Sequence, residues 1–444
     1  MLRAAAWLVG SNVASQALRL LSSLVLTRLL LPQAFGLMAA VQTLYFVLVM
    51  FSDLGVWQSV VTHPQGAQPK FLGTAFSVQL ARGVLLAAIV TLLALGLKLR
   101  ALHASFNADT VYADAQLPAM MLVFALCALL QGAESMHVAT AQRALQTSLL
   151  TRLELLTQLA GMVVTISCAL WTQSVWSLLA GAVTATLART VLSHTLFQGP
   201  AYKPCWDQAS LREIISFGKW IFLSSVVGFA ASNGEKLILG GLLAAQAFGV
   251  FSIASLLLTA IVGVVGNLNA HLVFPGLSEA LRSGDATAYK MYARVQQIAD
   301  AILGGIAGLT LVLGNWVVQF LYDARYAEAG WILQILALGL VAMRYQVLEQ
   351  MMFASNRPGW VTLSNSFRAL SLVLLVPLGY AFDGVQGAVL AVVASQFSGW
   401  PVAIVFKLRQ GLMSWKSEFV WPLSLLIGSA TGWLIHRLLH LFFH

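Results

Sequence analysis

Charge is what this sequence has least of. Asp, Glu, Lys and Arg together make up 9% of its 444 residues, against 59% hydrophobic ones. A water-soluble domain carries roughly 25% charged residues, so a solvated globular surface is excluded for most of the chain. Cysteine is also scarce. Cys127, Cys168 and Cys205 stand far apart with no CxxC, which excludes a disulfide scaffold and a thiolate metal cage. No GxxxxGK[ST], GxSxG or HExxH occurs, so ATP hydrolysis, nucleophile-elbow hydrolysis and zinc proteolysis have no anchor. Glu134 and His137 have ExxH spacing, but Glu349 in the second half has no His three residues later. A carboxylate-bridged metal pair needs that motif twice, and no metal or other cofactor is expected. No connection between apolar runs exceeds about 20 residues, which leaves no room for a separate soluble domain. The chain is not expected to be an enzyme.

What the sequence has in abundance is apolar length. Thirteen stretches approach or exceed the roughly 20 residues that cross a bilayer. They lie near 6–31, 36–60, 71–97, 117–142, 148–171, 174–198, 217–243, 248–275, 296–321, 330–355, 359–382, 385–407 and 421–443. Such runs are too long for barrel strands and lack strict alternation, so they read as helices. The first carries Arg19 at its centre with no small-residue cleavage site, and is expected to be a retained helix and no signal peptide. With the amino terminus inside, fourteen Lys and Arg fall on the cytoplasmic side and only Arg28, Lys98, Arg100, Arg325 and Arg437 outside. That asymmetry sets the orientation. The net charge of +9 is thus a topology signal, and nucleic-acid binding is not expected.

The chain also repeats itself. Gln33-Ala34-Phe35-Gly36 returns as Gln246-Ala247-Phe248-Gly249, an offset of 213, each time between two long apolar segments. Gln142-Arg143 and Asn356-Arg357 are 214 apart, Glu134 and Glu349 215, Arg152 and Arg368 216. One helical bundle used twice is the architecture of many transporters. The expected fold is an all-α polytopic membrane protein. Two six-helix lobes, 1–205 and 206–412, are related by a pseudo-two-fold axis along the membrane normal, and 413–444 adds a carboxyl-terminal transmembrane helix. Residues 199–216, with Pro200, Lys203, Pro204 and Asp207, are the most polar connection and read as the hinge. Gly304 and Gly308 form a GxxxG expected to mark close helix packing.

Polar residues at bilayer depth cost a few kcal/mol and mark pairing or water-filled cavities. The first helix carries Ser11, Ser15, Arg19 and Ser22 on one stripe, and the seventh carries Ser224, Gly228, Ser232 and Glu235 at the same spacings and the same offset of 213. These stripes are expected to face each other or a shared cavity; a small-residue packing seam would explain the Ser and Gly members equally well. Arg19, Arg82 and Arg344 fall near the midplane, which makes it cationic, whereas Asp53, Glu134 and Glu349 fall toward the cytoplasmic third. A guanidinium stays charged and donates two parallel hydrogen bonds, which suits a phosphate. The expected substrate-binding set is Arg19, Arg82, Arg344, Ser15, Ser232, Lys236, Arg189 and Arg368. Arg189 and Arg368 sit where snorkelling to the interface would also account for them, and pairing with Asp53, Glu134 or Glu349 would make the arginines structural. Asp53, Glu134, Glu235, Asp300 and Glu349 are candidates for ion coupling or gating.

The run from Leu26 to Gly36, Leu-Thr-Arg-Leu-Leu-Leu-Pro-Gln-Ala-Phe-Gly, followed by Phe51-Ser52-Asp53-Leu54-Gly55 and later by Asn356-Arg357-Pro358, resembles bacterial oligosaccharide flippases. These form the polysaccharide-transport branch of the superfamily that also holds multidrug/toxin extrusion antiporters and lipid II flippases. The resemblance covers the whole chain in layout and the amino-terminal stretch at residue level. It implies export of an undecaprenyl-pyrophosphate-linked oligosaccharide from the cytoplasmic to the periplasmic leaflet of the bacterial inner membrane. Alternating access, membrane lipid as surroundings, a polysaccharide polymerase and assembly proteins as partners, and function as a monomer go with it. Asp53 matches the family's recurring acid, for which the resemblance implies lobe closure and does not require a part in transport. A drug or organic-cation antiporter of the same fold is the first rival, and it would require acids where this midplane carries arginines. A non-transporting membrane protein of polysaccharide assembly is the second.

Overall fold

A computed structural model describes residues 2–103 and 110–443, with the side chains of residues 2–9, 11–13, 217, 219–229, 231, 232 and a few others outside the description. In chain order the helices are α1 (Leu2–Leu29), α2 (Pro32–Phe51), α3 (Val56–Thr62), α4 (Pro69–His103), α5 (Leu117–Gly132), α6 (His137–Arg143), α7 (Thr147–Thr172), α8 (Trp176–Thr195) and α9 (Gln208–Gly240). Then follow α10 (Ala245–Leu268), α11 (Phe274–Arg282), α12 (Asp285–Leu321), α13 (Ala329–Ala342), α14 (Gln346–Ala354), α15 (Pro358–Phe397), α16 (Trp400–Arg409), α17 (Trp415–Glu418) and α18 (Val420–Phe443). No strand occurs among the described residues. By length and composition seven helices among them suit a membrane crossing, or eight if α5 and α6, bent by 61°, count as one. Each of the thirteen apolar stretches is helical over most of its length, but the second, fourth, eighth, tenth and twelfth are each shared between two successive helices; the eleventh and the first part of the twelfth lie in α15, which breaks at Asp383 and Gly384.

The chain divides into two compact units: residues Met1–Phe229 with Leu243–Gly249, and Ala230–Leu242 with Val250–His444. The division falls inside α9, and 413–444 stays with the second unit. In unit 1 the two copies of the tetrapeptide come together. A Cβ on Gly36 would run into the carbonyl oxygen of Ala245, and one on Gly249 into that of Pro32. Only glycine lets those two backbones lie so close.

The polar connection after α8 differs from a free hinge. Tyr202 Oη accepts from the Met136 backbone N–H at 2.9 Å, the Asp207 backbone N–H donates to Thr74 Oγ1 at 3.1 Å, and Cys205 Sγ donates to the Lys70 carbonyl at 3.5 Å. Further on, Glu213 pairs with His63 at 3.1 Å. Polarity in this segment is used on unit 1, which is why composition alone suggested looseness. Asp207 also accepts from the Ser210 backbone N–H (2.9 Å) and hydroxyl (2.8 Å), capping α9. These bonds hold its carboxyl below the usual carboxylate range.

In unit 2, α18 lies along α12. Gly304 and Gly308 face Ser424, Leu425 and Ser429 so closely that a Cβ would strike them, and Gly428 returns the approach against Gly305. The GxxxG therefore seats the thirteenth apolar stretch on the ninth. The Ser424 hydroxyl donates to the Asp300 carbonyl at 2.8 Å, tying the same seam by a hydrogen bond.

Candidate functional site

Helix breaks at bilayer depth expose carbonyl groups that must find donors, and in unit 1 those donors build a cavity. The α2 helix ends before Gly55, whose φ of 60° is left-handed, and Asp53 Oδ1 accepts from the Gly55 N–H at 3.0 Å. Arg82 of α4 caps that end: its Nη2 donates to the Val49 carbonyl at 2.8 Å and its Nε to Ser52 Oγ at 3.1 Å. Its Nη1 lies 3.8 Å from Asp53 Oδ1. The second break, between α5 and α6, is capped by Gln79, whose Nε2 donates to the carbonyls of Gln131 (3.1 Å) and Glu134 (3.0 Å).

Between these breaks lies a cavity of about 400 Å³ lined by Asp53, Trp57, Arg82, Gln131, Glu134 and Arg189 among others. Arg189 of α8 donates from Nε to Glu134 Oε1 at 3.0 Å. The Arg189 side chain is 39% exposed and that of Glu134 12%, so the arginine stays partly open while the acid is mostly covered. Gln131 Oε1 accepts from the Tyr45 hydroxyl at 3.0 Å. Trp57 donates from Nε1 to Gln142 Oε1, and its ring packs against two buried apolar clusters. Sequence reasoning reached Asp53, Arg82, Glu134 and Arg189. It missed Trp57, Gln79 and Gln131, although two glutamines inside otherwise apolar spans were a visible signal.

Ser15 and Arg19 stand apart from this cavity. The Ser15 hydroxyl donates to Gln158 Oε1 at 2.7 Å, and Gln158 Nε2 donates back to the Ser15 carbonyl at 2.9 Å, which joins α1 to α7. One turn further on, Arg19 is exposed on α1 and has no ion-pair partner among the described residues.

Unit 2 holds two further charge clusters. Arg344, expected in an open cavity, is instead 1% exposed. Its Nε and Nη2 grip Asp300 at 2.9 and 2.7 Å, and its Nη1 donates to Glu418 Oε2 at 2.6 Å. Lys407, also 1% exposed, donates to the other oxygen of Glu418. Tyr345, Trp400 and Trp421 lay their rings against the guanidinium at 5.0, 5.9 and 6.0 Å. Two cations and two anions close on one another, so Arg344 and Asp300 clamp α12, α16 and α17 together and offer nothing to a ligand. The physical reason is that a buried guanidinium without carboxylates is too costly to keep, and the acids that serve it lie 44 residues upstream and 74 downstream.

The other cluster is looser. Arg368 of α15 lies 4.0 Å from Glu349 Oε1 and 3.5 Å from Asn365 Oδ1, and its buried Nε has no hydrogen-bond partner among the described residues. Glu235 of α9 is within electrostatic reach of Arg368 and of its own neighbour Lys236. The side chain of Ser232 lies outside the described residues. The cavity and the two clusters thus gather most of the predicted polar residues into three places. Glu134 pairs with Arg189 at the cavity wall, whereas His137 contacts the Pro200 carbonyl at 3.3 Å, so the two members of the ExxH pair serve different partners.

Among solved structures, a lipid II flippase, MurJ, in an inward closed conformation superposes with a TM-score of 0.71, covering 97% of this chain and 92% of that one at 11% identity. An inward-facing multidrug resistance transporter of the MATE family gives 0.62, covering 89% and 94% at 15% identity. At such identities the likeness shows the fold alone. A curated relative from Klebsiella pneumoniae, described as an uncharacterized membrane protein in the cps region, is 19% identical over 411 residues, 91% of this chain and 81% of its own length. The model of a family described as polysaccharide biosynthesis protein matches residues 25–356. That span includes the tetrapeptide repeat and the whole unit 1 cavity, and the chain belongs to this polysaccharide biosynthesis protein family.

Proposed function

We propose that this chain is a flippase of the bacterial inner membrane, with its amino terminus cytoplasmic. It carries an undecaprenyl-pyrophosphate-linked oligosaccharide from the cytoplasmic to the periplasmic leaflet by alternating access through a central cationic cavity. The observation that carries the reading is the inequality among the arginines. Arg82, Arg189, Arg344 and Arg368 each face a carboxylate, whereas Arg19, at the middle of α1, is exposed and faces none among the described residues. A fixed guanidinium at that depth has to be offset by something, and a pyrophosphate supplies two-pronged acceptors. Arg19 therefore takes the pyrophosphate while the polyprenyl tail stays in lipid. Glu235 and Glu349, two carboxylates around the under-satisfied Arg368, are assigned to proton or sodium coupling. One chain suffices for this cycle, with the polymerase and assembly proteins of the pathway receiving the cargo.

The test is reconstitution of the purified protein with a lipid-linked oligosaccharide labelled in its glycan. Arg19→Ala should abolish appearance of the label on the far leaflet while leaving folded protein in the membrane, and Arg19→Lys should keep the charge but lose the fork and transport partially. Normal rates with Arg19→Ala would refute the reading. Resistance to cationic dyes in cells expressing the protein, with no glycan transport, would turn it toward the organic-cation antiporter.

A further inference from the structure

We infer that the unit 1 cavity is a subsite for a sugar ring of the cargo, separate from the place that holds its pyrophosphate. The inference rests on the flippase reading and goes beyond it in assigning ligand chemistry to this cavity.

Charge is the first argument. The cavity holds two guanidinium groups, Arg82 and Arg189, and two carboxylates, Asp53 and Glu134, so its lining is balanced. Arg82 spends Nη2 and Nε on the Val49 carbonyl and Ser52 and turns Nη1 toward Asp53, so its side fork is taken and its remaining edge faces a carboxylate. An anion entering here would have to lie against two carboxylates already 15% and 12% exposed, where like charges repel. A neutral, hydroxyl-rich ligand meets no such penalty.

Donor and acceptor geometry is the second. A sugar ring has hydroxyl groups around its rim that both donate and accept, and an apolar C–H face. The cavity offers the carboxylates of Asp53 and Glu134 as acceptors, the free part of the Arg189 guanidinium as donor, and the Gln131 amide as both. Trp57 adds a flat ring, held in place by its hydrogen bond to Gln142 and its packing, against which the C–H face can lie. The volume of about 400 Å³ is near the lower end of the roughly 300–1,000 Å³ usual for small-molecule sites. It fits a ring or two and not a whole oligosaccharide. The cavity would thus let the protein select cargo by its glycan, at a distance from the pyrophosphate common to every such lipid.

The experiment measures binding to the full chain in detergent of two probes, the lipid-linked oligosaccharide extracted from cells that make it and undecaprenyl pyrophosphate without sugar. Trp57→Ala should weaken the oligosaccharide about tenfold and leave the bare lipid unchanged, in the range expected for one lost aromatic contact. Trp57→Phe, which keeps a ring, should stay close to the parent protein, and Gln131→Ala should behave like Trp57→Ala should either variant alone fold poorly. Arg19→Ala should weaken both probes alike. Equal weakening of both probes by Trp57→Ala and Gln131→Ala, or no effect on either, overturns the subsite and leaves the flippase reading standing. A parent protein that binds neither probe overturns both.

Discussion

At the scale of single residues, chemistry here is decided by which charges find partners. Arg344 and Lys407 are as buried as leucines, and each depends on Glu418. Removing one member of a buried pair leaves an uncompensated charge, at a cost of about 3–5 kcal/mol, so Glu418→Ala should lower the yield of folded protein and its melting temperature in detergent. Arg344→Met with Asp300→Leu, which removes both charges and keeps the volume, should be far milder than Arg344→Met alone. Burial pulls the Glu418 carboxyl upward, but the Lys407 hydrogen bond and the charges of Arg344 and Lys407 outweigh it and hold the group below the usual range. A carboxyl lower in the folded than in the unfolded chain stabilises fully above its unfolded value, about 4.3, and that contribution disappears as pH falls through the folded value. The melting temperature should therefore fall on acidification below about pH 4, and Glu418→Gln should flatten that dependence. An unchanged slope in the variant would remove Glu418 as its source.

At the scale of helices, close approach matters more than charge. The start of α2 and the start of α10 touch through Gly36 and Gly249, so a methyl group at either would force two backbones apart, at about 1–3 kcal/mol for overpacking of this kind. Gly249→Ala should lower the melting temperature, and the double variant with Gly36→Ala should cost less than the sum of the two, because the first separation makes room for the second. Strict additivity in that cycle would mean that the two glycines do not share a contact. On the α12 and α18 seam, Gly308→Leu should dislodge α18, read out as protease access to residues beyond Val420 in the solubilised protein. The tetrapeptides and the GxxxG are plain in the sequence. Their partners are not, because glycine records that something comes close and says nothing of what it is.

For the molecule as a whole, the proposed cycle moves negative charge outward, and an inside-negative potential favours this by about 2.3 kcal/mol per charge per 100 mV. Collapsing the potential in proteoliposomes with an ionophore should slow outward transport of the pyrophosphate-linked cargo. A rate independent of potential would mean that compensating cations travel with it.

The sequence by itself determined the solvent and the helices, and it carries a repeated tetrapeptide. Apolar length, the scarcity of charge and the offset of 213 are properties of the chain read in order, and lipid leaves helix as the only way to satisfy so much backbone. It also singled out Asp53, Arg82, Glu134 and Arg189, which the fold gathers around one cavity. Only the tertiary structure decided what each does. Arg82 caps the carbonyls of α2, Arg344 is locked between acids 44 residues before it and 74 after, and Trp57 and Gln131 join the cavity from separate helices. Pairing is a matter of distance in space, and the energy of a buried charge depends on neighbours that lie tens of residues away along the chain.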